Sequence, residues 1–369
     1  MMLRSLLLLL SAAVLTAAPR GEDPAAAIRR VMDKAIEAGE IPGAVVIVRK
    51  DGRNVVELAA GYAVIEERRE MRPDDLFMIA SSTKPFTATT IMTLVDAGKL
   101  SLDDPVRKFY PEFAGSSTIR QLLSHTSGIF GNDAPREMVE PIRNFDRSLS
   151  LAVDLIVKKP LLYEPGSKFS YGGASFCVAA GIAQKLTGRE FDDYMRSVLF
   201  EPLGIREACF RSKQDLSARV PQMYERTQGG FEPKPAVMEL PGRRGPRPDG
   251  FILAAGGLYA SPLETVRFLE MHLNGGVSGD RRILSRASVE AMQARQTGDA
   301  REEYGLGWKR GRLAPDGQAL GFGHGGAYGT QLLVDRERGL VAAIFTQMPS
   351  AQARDFIAEV QKTIEALYE

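Results

Sequence analysis

Strand-like segments lie near both ends of this chain, and a long, mostly helical region separates them. Residues 44–49 and 54–58 are rich in β-favouring residues and flank Asp51-Gly52, a dipeptide typical of tight hairpins. Strands at both ends with helices between them predict a mixed α/β chain of the α+β type, in which one antiparallel sheet is assembled from both ends. The strand-like segments near the other end are 304–309, 319–323, 330–335 and 340–346.

Helical segments are indicated by apolar residues that recur three and four positions apart. The stripe in residues 24–39 ends at a glycine, and residues 118–121 have the pattern of a capping box. The Gly- and Pro-rich residues 226–250 are predicted to form a long surface loop. The other predicted helices are 82–97, 150–158, 173–186, 190–199, 262–274, 285–295 and 352–368.

These patterns predict one domain that extends over residues 24–369. Its sheet-forming regions are about 24–80 and 255–369, because the strand-like segments fall there. The residues between them, about 82–250, form a mostly helical inserted region. No second core begins within that region, and no internal repeat divides the chain.

The first residues of the chain combine one basic residue, Arg4, with an apolar stretch from Ser5 to Ala18. A membrane-spanning helix needs roughly 20 apolar residues, and this stretch is shorter. Small residues at its end are typical of a cleaved signal peptide. We therefore predict that residues 1–18 are a signal peptide, that the protein is exported to the periplasm or secreted, and that no stable membrane span remains. A buried N-terminal helix and an uncleaved anchor stay open as alternatives.

The composition argues against several classes of partner. The 369 residues include 47 Lys and Arg and 46 Asp and Glu, a formal net charge of +1, which disfavours nucleic acid. His125, His272 and His324 share no helix face and accompany no cysteine cluster, so no metal or other cofactor is expected. Cys177 and Cys209 can pair in an exported protein. Cys177 lies in an apolar helical pattern, however, and is interpreted first as a core residue.

Ser81 and Lys84 form a Ser-x-x-Lys sequence at the start of a predicted helix. Residues three positions apart share a helix face, so their side chains can meet. A serine hydroxyl becomes a good nucleophile when a neighbouring base takes its proton, and a neutral lysine can be that base. The same residues could instead be a helix cap followed by a surface lysine. Lys84 shares a stripe with Ala88 and Ile91, which favours burial and the catalytic interpretation.

Further motifs accompany Ser81 in a characteristic order along the chain. They are Ile79–Lys84, Leu122–Gly128, Pro165–Tyr171, Leu186–Phe191, Pro202–Gly204, Ala255–Leu258, Tyr304–Trp308 and Gly323–Gly326. With them the chain resembles the penicillin-recognising serine enzymes, and is most similar to the branch related to class C β-lactamases, which includes D-aminopeptidases, DD-peptidases and esterases. The resemblance covers roughly residues 25–367 and implies a beta-lactamase/transpeptidase-like fold.

Three residues match the catalytic positions of this family. Ser81 matches the nucleophile that becomes acylated, and Lys84 matches its partner. Tyr171 matches the family tyrosine, which shares proton transfer with the lysine. Without the resemblance, Tyr171 would be interpreted as a core tyrosine before a helix.

Other matches concern substrate binding. His324 and Gly326 match the third family element, on a strand that lines the site, and the backbone N–H groups of Ser81 and Ala327 would form the oxyanion hole. Two residues depart from the family pattern. Gly173 stands in place of an asparagine, which removes a polar contact to the catalytic lysine and to a substrate amide. His324 stands in place of a lysine and would be a weaker, pH-dependent cation for a substrate carboxylate.

The resemblance implies a serine hydrolase that acts through an acyl-enzyme and needs no cofactor. Its substrate would be a small molecule or peptide with an ester, amide, D-amino-acid peptide or β-lactam bond, although both departures weaken the case for efficient β-lactam hydrolysis. A non-catalytic protein of the same fold, which binds cell-wall peptides or assembles with partners, is the alternative. His125 belongs to one of the motifs and is expected to pack or cap a loop. The sequence leaves the natural substrate and the oligomeric state open.

Overall fold

A computed structural model of the chain describes residues 22–369. Its strands form one large sheet and, within those residues, three pairs of short strands. In chain order the strands are β1 (Gly43–Lys50), β2 (Arg53–Val64), β3 (Arg69–Glu70), β4 (Phe77–Met78), β5 (Tyr224–Thr227), β6 (Gly230–Pro233), β7 (Tyr259–Ala260), β8 (Val277–Ser278), β9 (Arg281–Arg282), β10 (Lys309–Arg310), β11 (Gly321–Gly326), β12 (Thr330–Asp335) and β13 (Leu340–Phe345).

The large sheet joins the two ends of the chain. Its order is β10-β11-β12-β13-β1-β2-β3, and the neighbouring strands are antiparallel. The junction is the β1–β13 pair, which extends from Val45 opposite Phe345 to Lys50 opposite Leu340. The prediction of one antiparallel sheet assembled from both ends is therefore confirmed.

The predicted hairpin at Asp51-Gly52 connects β1 to β2. Asp51 has φ of 49° and Gly52 has φ of 77°, so both residues occupy the left-handed region. A two-residue hairpin turn of type I′ requires positive φ at both central positions, which is why Asp-Gly is favoured there.

Eleven helices of the described residues accompany the sheet, and most lie where the apolar stripes predict them. The capping box at Thr118 forms: its hydroxyl accepts from the Gln121 backbone N–H, and the Gln121 side chain accepts in return. The helices are α1 (Pro24–Glu37), α2 (Lys84–Asp96), α3 (Ile119–Leu123), α4 (Arg136–Val139), α5 (Leu149–Val157), α6 (Ala174–Thr187), α7 (Phe191–Met195), α8 (Glu201–Leu203), α9 (Pro262–Leu273), α10 (Arg286–Gln293) and α11 (Ser350–Leu367).

Each face of the sheet supports a separate core. Successive residues of a strand point to opposite faces. Val46 on β1 therefore belongs to a cluster with residues of α1 and α11, which cover one face. Its neighbours Val45 and Ile47 belong to a larger cluster on the other face, with residues of α2, α5, α6 and α9. The helical region thus packs on one side of the sheet, and α2 lies between it and the strands.

The prediction of a strand at 304–309 is wrong for most of that segment. Only Lys309 and Arg310 are paired as a strand, and residues 304–308 form a buried turn. The Gly305 N–H donates to the Trp308 carbonyl, and the Gly307 N–H donates to the Leu123 carbonyl. Two glycines in five residues let this segment turn tightly against the helical region, which a strand of alternating residues could not do.

The expected long surface loop at 226–250 is wrong in part. The segment begins with the β5–β6 hairpin, and Ala236 and Met238 are buried in a small cluster that includes Tyr259. The Gly and Pro content indicated irregular backbone correctly, but it carried no information about which side chains pack inward.

Two further expectations concern the chain ends and the cysteines. The predicted signal peptide, residues 1–18, lies outside the described residues and stays a prediction. Within residues 22–369, no helix combines the length and apolarity needed to cross a bilayer. Cys177 and Cys209 are both buried and free, so the interpretation of Cys177 as a core residue is confirmed and the disulfide is not present.

Gly307 provides a test of how the 304–308 turn packs on α2. It has φ of 76°, and a Cβ there would lie 2.7 Å from the Cβ of Ala88 and 3.0 Å from the Lys84 carbonyl oxygen. We expect Gly307→Ala to lower the free energy of unfolding by about 2–4 kcal/mol, from left-handed strain together with overpacking. Urea denaturation measures this change.

The matched control is Gly317→Ala. Gly317 has φ of 80°, and a Cβ there would have no atom within 4 Å, so only the strain of about 1–2 kcal/mol applies. Equal losses for the two variants would contradict the close packing of the turn on α2.

His272 on α9 makes folding stability depend on pH. Burial lowers its pKa to about 3, and its Nε2 lies 2.9 Å from Thr89 Oγ1. The unfolded chain binds a proton at this histidine near pH 6.5, whereas the folded chain does so only near pH 3. The contribution is therefore present above about pH 6.5 and is lost as the pH falls below it.

We expect His272→Gln to flatten this acid loss. Between pH 7 and pH 5 the free energy of unfolding of the variant should fall by about 2 kcal/mol less than that of the parent, the linkage of one histidine. Urea denaturation at both pH values measures the difference, and other titrating groups cancel because both proteins share them. Parallel pH dependences would show that His272 is protonated in the folded state as readily as in the unfolded one.

Candidate active site

Ser81 lies in a 3₁₀-helical turn, Ala80–Thr83, that leads directly into α2 at Lys84. The preceding residue, Ala80, has φ of 46°, a left-handed value that residues other than glycine rarely adopt. Such strain persists only where the surroundings fix the backbone, and active sites are a common place for it. The turn leaves the Ser81 side chain half-buried, while the side chains of the next two residues are buried.

Two hydroxyl groups tie this turn to the strands β11 and β12. Ser82 Oγ donates to the His324 carbonyl at 3.1 Å, and Thr330 Oγ1 donates to the Ile79 carbonyl at 2.9 Å. The two hydroxyls are themselves 3.2 Å apart. Strand β11 is therefore held beside the segment that carries Ser81.

Lys84 brings a buried amine to Ser81. Its side chain is 2% exposed, and its Nζ lies 3.1 Å from Ser81 Oγ and 2.9 Å from the Ala255 carbonyl oxygen. The amine also lies 4.6 Å from the centre of the Tyr171 ring. The structure thus brings together the three residues that the sequence predicts as catalytic, and the predicted burial of Lys84 is confirmed.

The Ala255 carbonyl is held in place by its own segment. The Ile79 N–H donates to the Leu258 carbonyl at 2.9 Å, and the Leu258 N–H donates to Thr83 Oγ1 at 3.2 Å. The segment 254–258 is therefore bonded along the turn that carries Ser81. This fixes a backbone acceptor for the lysine amine, which a buried amine requires.

Tyr171 is positioned by a neighbouring loop, residues 125–132. The Asn132 N–H donates to the Tyr171 carbonyl at 2.9 Å, and the Gly172 N–H donates to His125 Nδ1 at 3.3 Å. The Tyr171 hydroxyl lies 3.5 Å from His324 Nε2, a long distance for a hydrogen bond. The hydroxyl is therefore not tightly held by the histidine.

His125 has the structural role expected of it. Its ring is buried against aromatic rings, with centroids 4.5 Å from Tyr171, 5.1 Å from Phe176 and 5.0 Å from Tyr304. Burial, with the charge of Lys84 next, holds the pKa of His125 well below its usual value, so the ring is neutral. Its backbone has φ of 62°, which turns the loop toward the segment that carries Tyr171.

His324 does not meet the expectation of a pH-dependent cation. Its side chain is 1% exposed, and its Nε2 lies 3.1 Å from the Tyr304 hydroxyl rather than toward solvent. Burial, followed by the charge of Lys84, holds its pKa well below 6.5. The ring is neutral at neutral pH, because burial disfavours its charged form.

Strand β11 meets the nucleophile turn at Gly326. A Cβ there would collide with the Ile79 carbonyl oxygen, so glycine allows the two backbones to touch. The next residue, Ala327, is fixed through its carbonyl, which accepts from the Ser350 N–H at 2.8 Å. These contacts place the end of β11 beside the turn of Ser81. The oxyanion hole from the Ser81 and Ala327 N–H groups stays a prediction.

Gly173, the other departure, lies at the start of α6 in apolar surroundings. A Cβ there would be 3.3 Å from the Cβ of Ala255 and 3.4 Å from Cδ1 of Ile142. A longer polar side chain would have to displace these groups. Gly173 makes no polar side-chain contact to Lys84, as expected. Lys84 bonds instead to the Ala255 carbonyl.

Lys309 adds a second positive charge that the sequence analysis did not single out. It lies on the edge strand β10, opposite Gly323 of β11, and its side chain is exposed. Its Nζ is 6.0 Å from the centre of the Tyr171 ring. Among residues 22–369, neither Lys309 nor Lys84 forms an ion pair with a carboxylate. The described part of the chain also contains no acidic, histidine or cysteine cluster suited to a metal.

Sequence reasoning missed three groups of this site. Ala255 and Tyr304 each lie in a motif, but the motif did not show that the carbonyl of one and the hydroxyl of the other would face the catalytic residues. Lys309 directly follows the Tyr304–Trp308 motif, and this adjacency is the signal that could have indicated it.

The fold and the contact between Ser81 and the buried Lys84 amine together define a beta-lactamase/transpeptidase-like protein. The chain belongs to the Beta-lactamase family, whose sequence model matches residues 28–362. The fold predicted from the motifs is thereby confirmed.

Named relatives and solved structures align with most of the chain. Penicillin-binding protein 4 of Amycolatopsis lactamdurans is 34% identical over 322 residues, which are 83% of this chain and 81% of the relative. Esterase EstB of Burkholderia gladioli is 31% identical over 361 residues, 87% of this chain and 90% of the relative. The structure of EstCE1, described as a hydrolase with promiscuous acyltransferase activity, has a TM-score of 0.79 and 22% identity and covers 94% of this chain and 99% of its own. This last likeness shows the fold alone.

Proposed function

We propose that this protein is a serine hydrolase that forms an acyl-enzyme at Ser81. The observation that carries the proposal is the 3.1 Å contact between Ser81 Oγ and the buried Nζ of Lys84. This distance is within hydrogen-bond reach, as proton transfer from a nucleophile to its base requires. Membership of a family whose relatives include a named esterase supports it.

In the proposed acylation, the neutral Lys84 amine accepts the Ser81 proton while Oγ attacks the substrate carbonyl. The negative charge that develops on the carbonyl oxygen would be stabilised by the N–H groups of Ser81 and Ala327, a contribution of roughly 2.7–4 kcal/mol per donor in related chemistry. Tyr171, beside the amine, gives its hydroxyl proton to the leaving group and takes the proton that Lys84 holds, so both side chains return to their starting states. Water activated by the same lysine and tyrosine then releases the acyl group.

An ester or a small amide is the proposed substrate class, with a D-amino-acid peptide or a β-lactam within the same chemistry. Ester hydrolysis is affected least by the two departures from the family pattern. A neutral His324 and the apolar surroundings of Gly173 offer few polar contacts to an amide substrate and its carboxylate. Esterase EstB supports this preference, and Penicillin-binding protein 4 supports the peptide or β-lactam alternatives.

A non-catalytic peptide-binding protein is the competing hypothesis. It would need no contact between the serine and the lysine, and it would tolerate solvent around the amine. The burial of Lys84 to 2% exposure, within hydrogen-bond reach of Ser81 Oγ, therefore favours the enzyme, since proton transfer requires this contact and peptide binding does not.

The first test is covalent labelling and turnover. We expect a fluorophosphonate to add once to the protein, with the mass increase on Ser81 by peptide mapping, and p-nitrophenyl butyrate to be hydrolysed. Ser81→Ala should lose the adduct and lower kcat by roughly 10³-fold or more, as removal of a nucleophile does. Ser82→Ala is the matched control. The Ser82 hydroxyl donates to the His324 carbonyl and does not contact Lys84, so this variant should still be labelled. A folded parent protein that takes no adduct and hydrolyses no ester, β-lactam or D-Ala-D-Ala peptide would support the binding protein.

The second test concerns charge on the substrate. The unpaired Nζ of Lys309 lies 6.0 Å from the centre of the ring of Tyr171, the proposed proton donor to the leaving group, so we expect it to favour a carboxylate on that group. The test compares 3-carboxyphenyl and 3-carbamoylphenyl butyrate, esters that differ only in that charge. Lys309→Met should lower the kcat/KM ratio of the first to the second by roughly 2–5-fold, the value of an exposed ion pair.

The control for this test is Lys362→Met, the same change of charge on α11, across the sheet from Ser81. The preference of the parent should also weaken with added salt. An unchanged ratio in Lys309→Met would show that this cation does not contact the leaving group.

A further inference from the structure

Only one nitrogen of the buried His324 ring can accept a hydrogen bond. Its Nδ1 lies 2.8 Å from the Gly325 carbonyl oxygen, and a carbonyl can only accept, so Nδ1 carries the hydrogen. A neutral imidazole has one N–H and one lone pair. The lone pair is therefore on Nε2, which faces the hydroxyls of Tyr304 and Tyr171.

These two hydroxyls compete for that lone pair, and Tyr304 is better placed. Its oxygen lies 3.1 Å from Nε2, whereas that of Tyr171 lies 3.5 Å away. Tyr304 is 2% exposed, and burial, together with its neighbour Tyr171, raises the pKa of its hydroxyl well above 10. Tyr304 therefore stays protonated, and its O–H donates a hydrogen bond to Nε2 of His324.

We propose that Tyr304 is a positioning residue that occupies the only acceptor of His324, which leaves the hydroxyl hydrogen of Tyr171 free for exchange with Ser81 and Lys84. The inference rests on the proposed function. The bond is Tyr304 O–H to Nε2, and no proton is transferred in it. Its effect is to keep a neighbouring neutral base from capturing the proton that the reaction needs.

The groups around His324 explain what loss of the Tyr304 hydroxyl would do. Lys84 on α2 and Lys309 on β10 both oppose a positive charge on the ring, Tyr171 and Tyr304 face Nε2, and His125 lies beside both tyrosines. Without the Tyr304 hydroxyl, Nε2 accepts from Tyr171 instead. That bond holds the hydroxyl hydrogen of Tyr171 away from Ser81 and Lys84.

The experiment compares Tyr304→Phe with the parent, using p-nitrophenyl butyrate between pH 5 and pH 9. We expect kcat to fall about 10- to 100-fold, part of what proton transfer contributes, with KM little changed. The fall should persist across this pH range, because a neutral His324 then accepts from Tyr171 in place of Tyr304. Tyr224→Phe is the matched control: it removes a buried hydroxyl that bonds to Glu66 and should leave kcat unchanged.

A second variant separates positioning from general damage. In a His324→Gln background the imidazole that would capture the Tyr171 hydroxyl is absent, so adding Tyr304→Phe should change kcat little. A kcat that does not fall in Tyr304→Phe alone, or that falls as much when Tyr304→Phe is added to His324→Gln, would overturn the proposal. Urea midpoints identify any loss that comes from unfolding.

A measurement without substrate keeps this outcome distinct from failure of the proposed function. In the NMR spectrum of protein labelled with ¹⁵N-histidine, the signals absent from His324→Gln identify His324. We expect them to show the neutral Nδ1–H tautomer at pH 7. An Nε2–H tautomer or a charged ring would overturn the inference even in an active enzyme. Conversely, a parent protein with the expected tautomer but no hydrolysis would overturn the proposed function and, with it, the catalytic role of Tyr304.

Discussion

The amine of Lys84 is buried among segments that are distant in sequence, and the rest of the site is arranged around it. A buried amine is costly unless its hydrogens find acceptors. Ser81 Oγ and the Ala255 carbonyl are two such acceptors, and the face of the Tyr171 ring lies 4.6 Å away on another side. The contact that makes Ser81 a candidate nucleophile is thus also one that makes the burial of Lys84 tolerable.

This arrangement depends on close backbone contacts that only small residues allow. Gly326 lets β11 touch the turn of Ser81, and Gly307 lets the 304–308 turn touch α2 at Lys84. The hydroxyls of Ser82 and Thr330 then bond across the same junction. The sheet joins both ends of the chain, so a residue near position 80 and one near position 325 become neighbours. The sheet therefore fixes β11 against the turn of Ser81, whereas the loop 125–132 positions Tyr171.

Much of this could be predicted from the sequence, because the signals were local. Apolar stripes and glycine caps indicated most helices, and strand β12 has the predicted bounds 330–335. The hairpin at Asp51-Gly52 and the Ser81–Lys84 pair also depend on neighbours within a few residues. The capping box at Thr118 formed for the same reason.

What could not be predicted depends on contacts between distant segments. The Ala255 carbonyl leaves no mark on side-chain identity, so its role as an acceptor for Lys84 was invisible. The sequence suggested that His324 could be charged, since histidine usually titrates near 6.5. Its neutrality follows from burial and from Lys84, both of which are set by the sheet.

The neutral histidines change what the site offers a substrate. Its amines are those of Lys84 and Lys309, and no carboxylate of the described residues pairs with either. Such a site favours negative charge, and the charge of an ester's transition state develops on the carbonyl oxygen, beside the Ser81 turn. If Lys84 is neutral when Ser81 attacks, the fixed positive charge that remains is that of Lys309, at the edge of the sheet. Charge that drives the chemistry and charge that selects the substrate would then reside on different residues. In the proposed function, anion recognition at this cleft therefore lies one strand outward from His324 of β11, on Lys309, a side chain that solvent can reach.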